Sequence, residues 1–263
     1  MPKTTPTTEC AHDATLPGFK ETQNRDARFR KECKDFADLC AKSRSAGKDP
    51  GKLSNGLLHA LVFAARNAAG SVGRESMDAL ARAGKVRKGL YNEDVRPAVA
   101  SLLAFAAKGG TLAEGAFAAR RAEFFAAVGG RAEEVFRRLV AVAFPAQACA
   151  AFADGEMDAI FRGLAANGRA EKVSGGTWLA RCRAVHDALR AEWSWPDAAT
   201  RCVFVRRLAA AVAEAEAAAA EEDAARTEED FSPEVRPASK RMVKNEPHGS
   251  ILTIEREPVP LAG

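Results

Sequence analysis

No stretch of this chain approaches the roughly 20 uninterrupted apolar residues that a membrane span requires. Even its alanine-rich runs are broken by Arg, Glu or Lys, so no membrane insertion is expected. Met1 to Phe19 lacks the basic start and apolar centre of a secretory signal and carries Pro2, Pro6, Pro17 and threonines instead. That predicts an intracellular, cytoplasmic protein. Its six cysteines, Cys10, Cys33, Cys40, Cys149, Cys182 and Cys202, are then expected as small buried hydrophobes and not as disulfides.

Alternating β-branched runs bounded by turns are scarce, with one credible candidate at Ile251, Thr253 and Ile254. Catalytic signatures are missing as well. His12, His59, His186 and His248 lie in separate segments without an HExxH or nucleophile-elbow context, and no GxxxxGK[ST] loop follows a strand. Cys10, His12, Cys33 and Cys40 have zinc-binding side chains but not the close ligand pairs of a structural zinc site, so neither a metal nor another cofactor is expected. His186, Asp187 and Glu192 are the scattered groups an acid–base reading would use. No spacing assembles them, and no enzyme is predicted.

What the chain has in abundance is helical periodicity. Arg25 to Lys42 places Phe29, Cys33, Phe36 and Cys40 at spacings of four, three and four, one stripe of a helix, and Ser43 to Gly56 then reads as a loop. Residues 25–56 are therefore expected to be a helical arm and linker behind a flexible leader, 1–24. Helices follow at Leu57 to Asn67, Arg74 to Ala83, Val95 to Ala107, Leu112 to Val128, Arg131 to Ala143, Gly155 to Ala166, Trp178 to Glu192 and Asp197 to Ala224, with glycine stops such as Gly109-Gly110 and Gly129-Gly130 between them. The predicted fold is all-α. It comprises a compact multi-helix core over 57–213 and, over 214–263, an Ala/Glu-rich helix end leading into a flexible acidic tail. Within that tail, Met242 to Glu246 fits the hydrophobic-Lys-x-acid pattern of a SUMO acceptor.

Charge is uneven along the chain. Residues 1–213 carry a net +10 and residues 214–263 a net −6. Paired arginines stand out in the basic part: Arg120-Arg121, Arg137-Arg138 and Arg206-Arg207, with Lys85, Arg87, Lys88, Arg96 and Lys108. Guanidinium groups contact phosphate bidentately and stay charged, so these eleven residues are candidates to line a groove for a nucleic-acid backbone. Tyr91, Phe105, Phe124, Phe125 and Phe136 are interleaved with them, although most of these rings suit a core better than base stacking. The competing reading is that the arginines are solvated helix faces offset by Glu123, Glu133 and Glu134.

Tyr91…Asp94-Val95, Lys108-Gly109, Arg120-Arg121 and Arg138-Leu-Val-Ala-Val-Ala-Phe144-Pro145 occur in one order over residues 91–152. In that order the segment resembles the middle region of nucleoproteins from phlebovirus- and tenuivirus-type segmented RNA viruses. The resemblance implies a virion-associated protein that coats single-stranded RNA without reading its sequence. It also implies homo-oligomerisation through an N-terminal arm, here the stripe Phe29, Cys33, Phe36 and Cys40. The alternative function is a helical structural or protein-interaction scaffold, such as another virion component, that binds no nucleic acid.

Overall fold

The structure, a computed structural model, describes residues 16–82, 95–166 and 176–230. Among them run ten α-helices and one two-stranded hairpin, so the fold is all-α as the periodicity predicts. The chain divides into two units, 1–222 and 223–263. Of the second, residues 223–230 are described, and they are helical. The expected strand at Ile251 to Ile254, the SUMO-like pattern, and Cys10, His12 and His248 lie outside the described residues.

Helix α1 (Leu16–Arg25) is joined to α2 (Ala27–Lys48) through Asp26, whose carboxylate caps α2 by accepting from the Arg28 amide. The expected stripe exists on α2, but it faces inward. Phe29, Phe36 and Cys40 are buried in the chain's own core and Cys33 packs against it, so this face is covered within the molecule and is not held out to a neighbour. The expected loop at Ser43 to Gly56 is a second difference, because α2 continues to Lys48. Its last turns present Ser43, Ala46 and Gly47 to α5 (Val95–Ala107), and these small residues permit a close helix approach. A Cβ on Gly47 would stand 2.2 Å from the Leu103 carbonyl oxygen. Gly and Ser, which suggest a loop in the sequence, serve contact between helices here.

The predicted helix Leu57 to Asn67 is also shorter than expected. Helix α3 (Asn55–Leu58) passes into a π-turn, His59–Phe63, and then leaves helical geometry at Ala64. Asn67 explains the break. Its side-chain amide donates to the Ala60 carbonyl at 3.0 Å while its oxygen accepts from the Ala69 amide at 2.8 Å. The chain is thereby turned into the hairpin β1 (Arg66–Asn67) and β2 (Gly70–Ser71), with Gly70 at φ 140°.

Helix α4 (Arg74–Arg82) leads toward α5, and α6 (Glu114–Val128) ends on Gly129 at φ 70°, a glycine stop of the expected kind. Helix α7 (Glu133–Ala143) is buried over most of its circumference, including Val135, Phe136, Leu139, Val140 and Val142. It packs on α2, α4, α5 and the π-turn. Helices α8 (Asp154–Ala166), α9 (Trp178–Glu192) and α10 (Ala198–Asp230) complete the body, and the first part of α10 buries Cys202, Val203, Phe204 and Val205. The acidity assigned to a mobile tail resides mainly in α10. Residues 214–230 hold eight acidic side chains and one basic one, whereas 231–263 hold four acidic and five basic.

At the centre lies Arg138, fully buried. Its guanidinium donates to the carbonyls of Leu61 at 3.0 Å and Ala64 at 2.8 Å, where the π-turn ends and backbone acceptors have no helical partner. Burial pulls its pKa down to about 10, which still leaves it charged at neutral pH. Two stability outcomes follow from this packing. Gly47→Ala is expected to destabilise the chain by about 1–3 kcal/mol through overpacking, read as a fall in the urea midpoint. Arg138→Met, which keeps much of the volume but leaves those carbonyls unpaired, is expected to cost about 3 kcal/mol or more in the same assay.

Candidate nucleic-acid interface

The eight described basic candidates do not converge on one groove. Lys85, Arg87 and Lys88 lie outside the described residues, as does Tyr91. Arg138 is a correction: a fully buried guanidinium spent on backbone carbonyls cannot reach a phosphate. Its neighbour Arg137 is nearly buried and donates to the Phe152 carbonyl and the Asp154 carboxylate, both at 2.7 Å, and to Glu133 at 3.2 Å. It ends in a cleft of about 470 Å³ that Glu75, Asp78, Glu133, Glu134 and Asp154 make negative, a field that repels phosphate.

The other arginines are held in the same manner. Arg120 bonds Glu123 at 2.7 Å and Ser101, and its guanidinium lies 5.5 Å from the Phe105 ring. Arg121 bonds Glu133 at 2.5 Å and covers Phe125 at 4.8 Å. Arg96 donates to the Leu53 carbonyl and to Asn55, tying α5 to the start of α3. Arg206 and Arg207 share Glu32 of α2. Arg206 also reaches the Ala68 carbonyl at 3.0 Å, and Arg207 reaches Gln23 at 2.8 Å and Asp26 at 2.5 Å. Burial raises the Glu32 pKa, but hydrogen bonds from Arg207 and Arg206 outweigh it and hold the carboxyl below the usual range. Hydrogen bonding from Arg207 lowers Asp26 likewise. The rings interleaved with these arginines belong to the core side: Phe124 and Phe136 are buried, with centroids 5.7 Å apart, and Phe105 and Phe125 pack against the core under their arginines.

Lys108 alone among the described candidates is exposed and makes no ion pair or hydrogen bond. It has company that the sequence reading left out. Lys34, Lys42, Arg44 and Lys48 emerge from the outer side of α2, and Lys52 follows in the Pro50–Lys52 turn; all are exposed, and none makes an ion pair within the described residues. Gly47 lies against Ala107, so Lys108, the next residue of the chain, follows directly on the contact between the ends of α2 and α5. The available signal was the heptad-like spacing of Lys34 and Lys48 opposite the Phe29, Phe36 and Ser43 stripe. Reading residues 43–56 as a loop removed Arg44, Lys48 and Lys52 from any helix face.

The groups considered for chemistry are also placed. His186 is buried, and because Arg201 can only donate, its Nε at 2.6 Å fixes Nδ1 as the acceptor. Nε2–H then donates to the Ala148 carbonyl at 3.0 Å, so both ring nitrogens serve structure. Asp187 is exposed and pairs with Arg190 at 3.7 Å. Cys33, Cys40, Cys149, Cys182 and Cys202 are free thiols. Burial pushes Cys33 to about 11 and Cys40 to about 12, and pushes Cys149 and Cys202 well above the ordinary range. Among the described residues no cluster of His, Cys, Asp and Glu is arranged to hold a metal, and no helix is long and apolar enough to cross a membrane. No protein family, curated protein or solved structure matches the chain.

Burial, with the nearby Arg201 and Arg190 charges, lowers the His186 pKa from 6.5 to about 4. The unfolded chain therefore binds the extra proton first. Stability is fully present above about pH 6.5 and is lost as the pH falls toward 4, by about 3 kcal/mol in total. His186→Gln, whose amide can reproduce one donor and one acceptor without titrating, is expected to flatten this part of the pH profile. Urea midpoints at pH 7 and pH 4.5 for both chains check it.

Proposed function

We propose that the chain is a non-enzymatic, intracellular RNA-binding protein of the nucleoprotein kind that contacts single-stranded phosphate backbone without reading sequence. The supporting observation is the contrast between two sets of cations. The arginine pairs are engaged by carboxylates and carbonyls of the protein itself, whereas Lys34, Lys42, Arg44, Lys48, Lys52 and Lys108 are exposed and unpaired within the described residues. Unpaired cations along a rigid helix suit a polyanion, because each phosphate contact releases condensed counterions. No stacking or base-edge group is required.

The proposal moves the contact surface away from the paired arginines and leaves the Phe29–Cys40 stripe to the core. Any self-assembly therefore uses another surface. A scaffold without nucleic acid is the second reading, and the internal use of the arginines favours it: they hold helix ends and neighbouring helices together as a structural protein needs.

Fluorescence anisotropy of the nuclease-treated protein with an arbitrary labelled single-stranded RNA, titrated across a salt series, tests both readings. The expected result is binding with a steep negative log–log salt slope. Replacing Lys42, Arg44, Lys48 and Lys52 together with Ala should reduce that slope by about 3, at about 0.7 per lost single-strand contact, and weaken binding at least about tenfold at low salt. Arg120→Ala should leave the slope unchanged. Absence of binding by the unaltered chain at low salt would retire the RNA reading in favour of the scaffold.

A further inference from the structure

The connection between α9 and α10 carries two tryptophans separated by one residue, Trp193 and Trp195. Their rings meet at 76° with centroids 5.9 Å apart, forming two walls of a corner. Phe204 of α10, buried, backs both walls at 6.1 Å from Trp193 and 5.0 Å from Trp195. The Trp195 indole N–H is fixed to the Leu189 carbonyl at 3.0 Å, which sets the orientation of that wall. Both rings are half-buried against the core, with part of each left at the surface.

A cation already occupies it. The Lys20 ammonium of α1 lies 4.9 Å from the Trp193 centroid and 4.8 Å from the Trp195 centroid. The Ser194 carbonyl accepts from it at 3.4 Å. Ring faces attract positive charge, but they are poor acceptors for an ammonium's three N–H donors. A primary ammonium therefore loses hydration here without full replacement. Methylation keeps the charge and the four-carbon stem, removes donors, and reduces the hydration that has to be given up.

We propose that Trp193 and Trp195 form a binding site for a methylated lysine side chain of a peptide partner, occupied in the free protein by the chain's own Lys20. The seated lysine supplies the choice of ligand, since the corner already admits a lysine stem from a helix and not merely a small ion. This site is separate from the outer face of α2 and does not depend on the RNA reading. Lys20 acts as an internal competitor, which lowers the apparent affinity by the fraction of molecules in which it is docked.

The probe follows from the same contact: a labelled peptide of sequence LPGFKETQNR, the segment Leu16–Arg25, made with trimethyllysine, unmodified lysine or uncharged norleucine at the fifth position. Anisotropy titrations use the full chain and its Lys20→Ala variant. In the variant the trimethyllysine peptide should bind at least about fivefold more tightly than either other peptide, and about three- to tenfold more tightly than it binds the unaltered chain. Trp193→Leu in the same background should weaken it about tenfold or more, with far-UV circular dichroism showing the helices intact. Equal binding of the norleucine peptide would reduce the corner to an apolar contact and overturn the proposal. Equal or tighter binding of unmodified lysine would make it a latch for α1 alone, and free choline competing as well as the peptide would remove the lysine assignment. Because the peptide comparison uses one protein, its outcome stands even if the tryptophan variant fails to fold.

Discussion

A guanidinium taken out of water is strongly destabilised unless acceptors meet it, and the architecture of this chain turns on the carbonyls that meet the two terminal nitrogens of Arg138, while its Nε has no partner. The acceptors are backbone carbonyls released where a π-turn stops, so the helix that carries the charge and the segment that breaks its own helix need one another. Asn67 makes the break, the hairpin fixes it, and α7 plugs it. Helices α2, α4 and α5 then find their places against α7.

The same economy governs the other arginines. Glu32 gathers Arg206 and Arg207 and thereby fastens α2 to α10, while Arg96 fastens α5 to the Leu53–Asn55 segment. A protein rich in alanine buries little area per residue and gains correspondingly little from apolar contact. Multidentate guanidinium contacts with carbonyls and carboxylates add the directional restraint that small side chains cannot. Positive charge is consequently divided into an inner, structural set and an outer set on α2.

Helix identity was largely readable from periodicity, because apolar stripes at three- and four-residue spacing record burial directly. Helices α5 and α9 have the boundaries the pattern predicts, and Gly129 stops α6 as expected. The misreadings have a common physical origin. Glycine and serine at 43–47 look like a linker until the Leu103 carbonyl is placed beside them, and a single asparagine at 67 ends a helix through contacts to Ala60 and Ala69 that no periodicity encodes. The destination of an arginine is still harder to read. Arg137 and Arg138 are adjacent and chemically identical, yet one borders an acidic cleft and the other fills the core, a difference set by their 100° separation around α7. Trp193 and Trp195 gave no periodic signal because they lie between helices.

Gly47 has a genetic consequence. When two side chains collide, shrinking either one restores the fit, so such lesions acquire second-site suppressors. The atom opposing Gly47 is a main-chain oxygen, which every residue at position 103 would present. A chain damaged at position 47 is therefore expected to recover by reversion at that codon, or by changes that move α5 as a whole, and not by any substitution of Leu103.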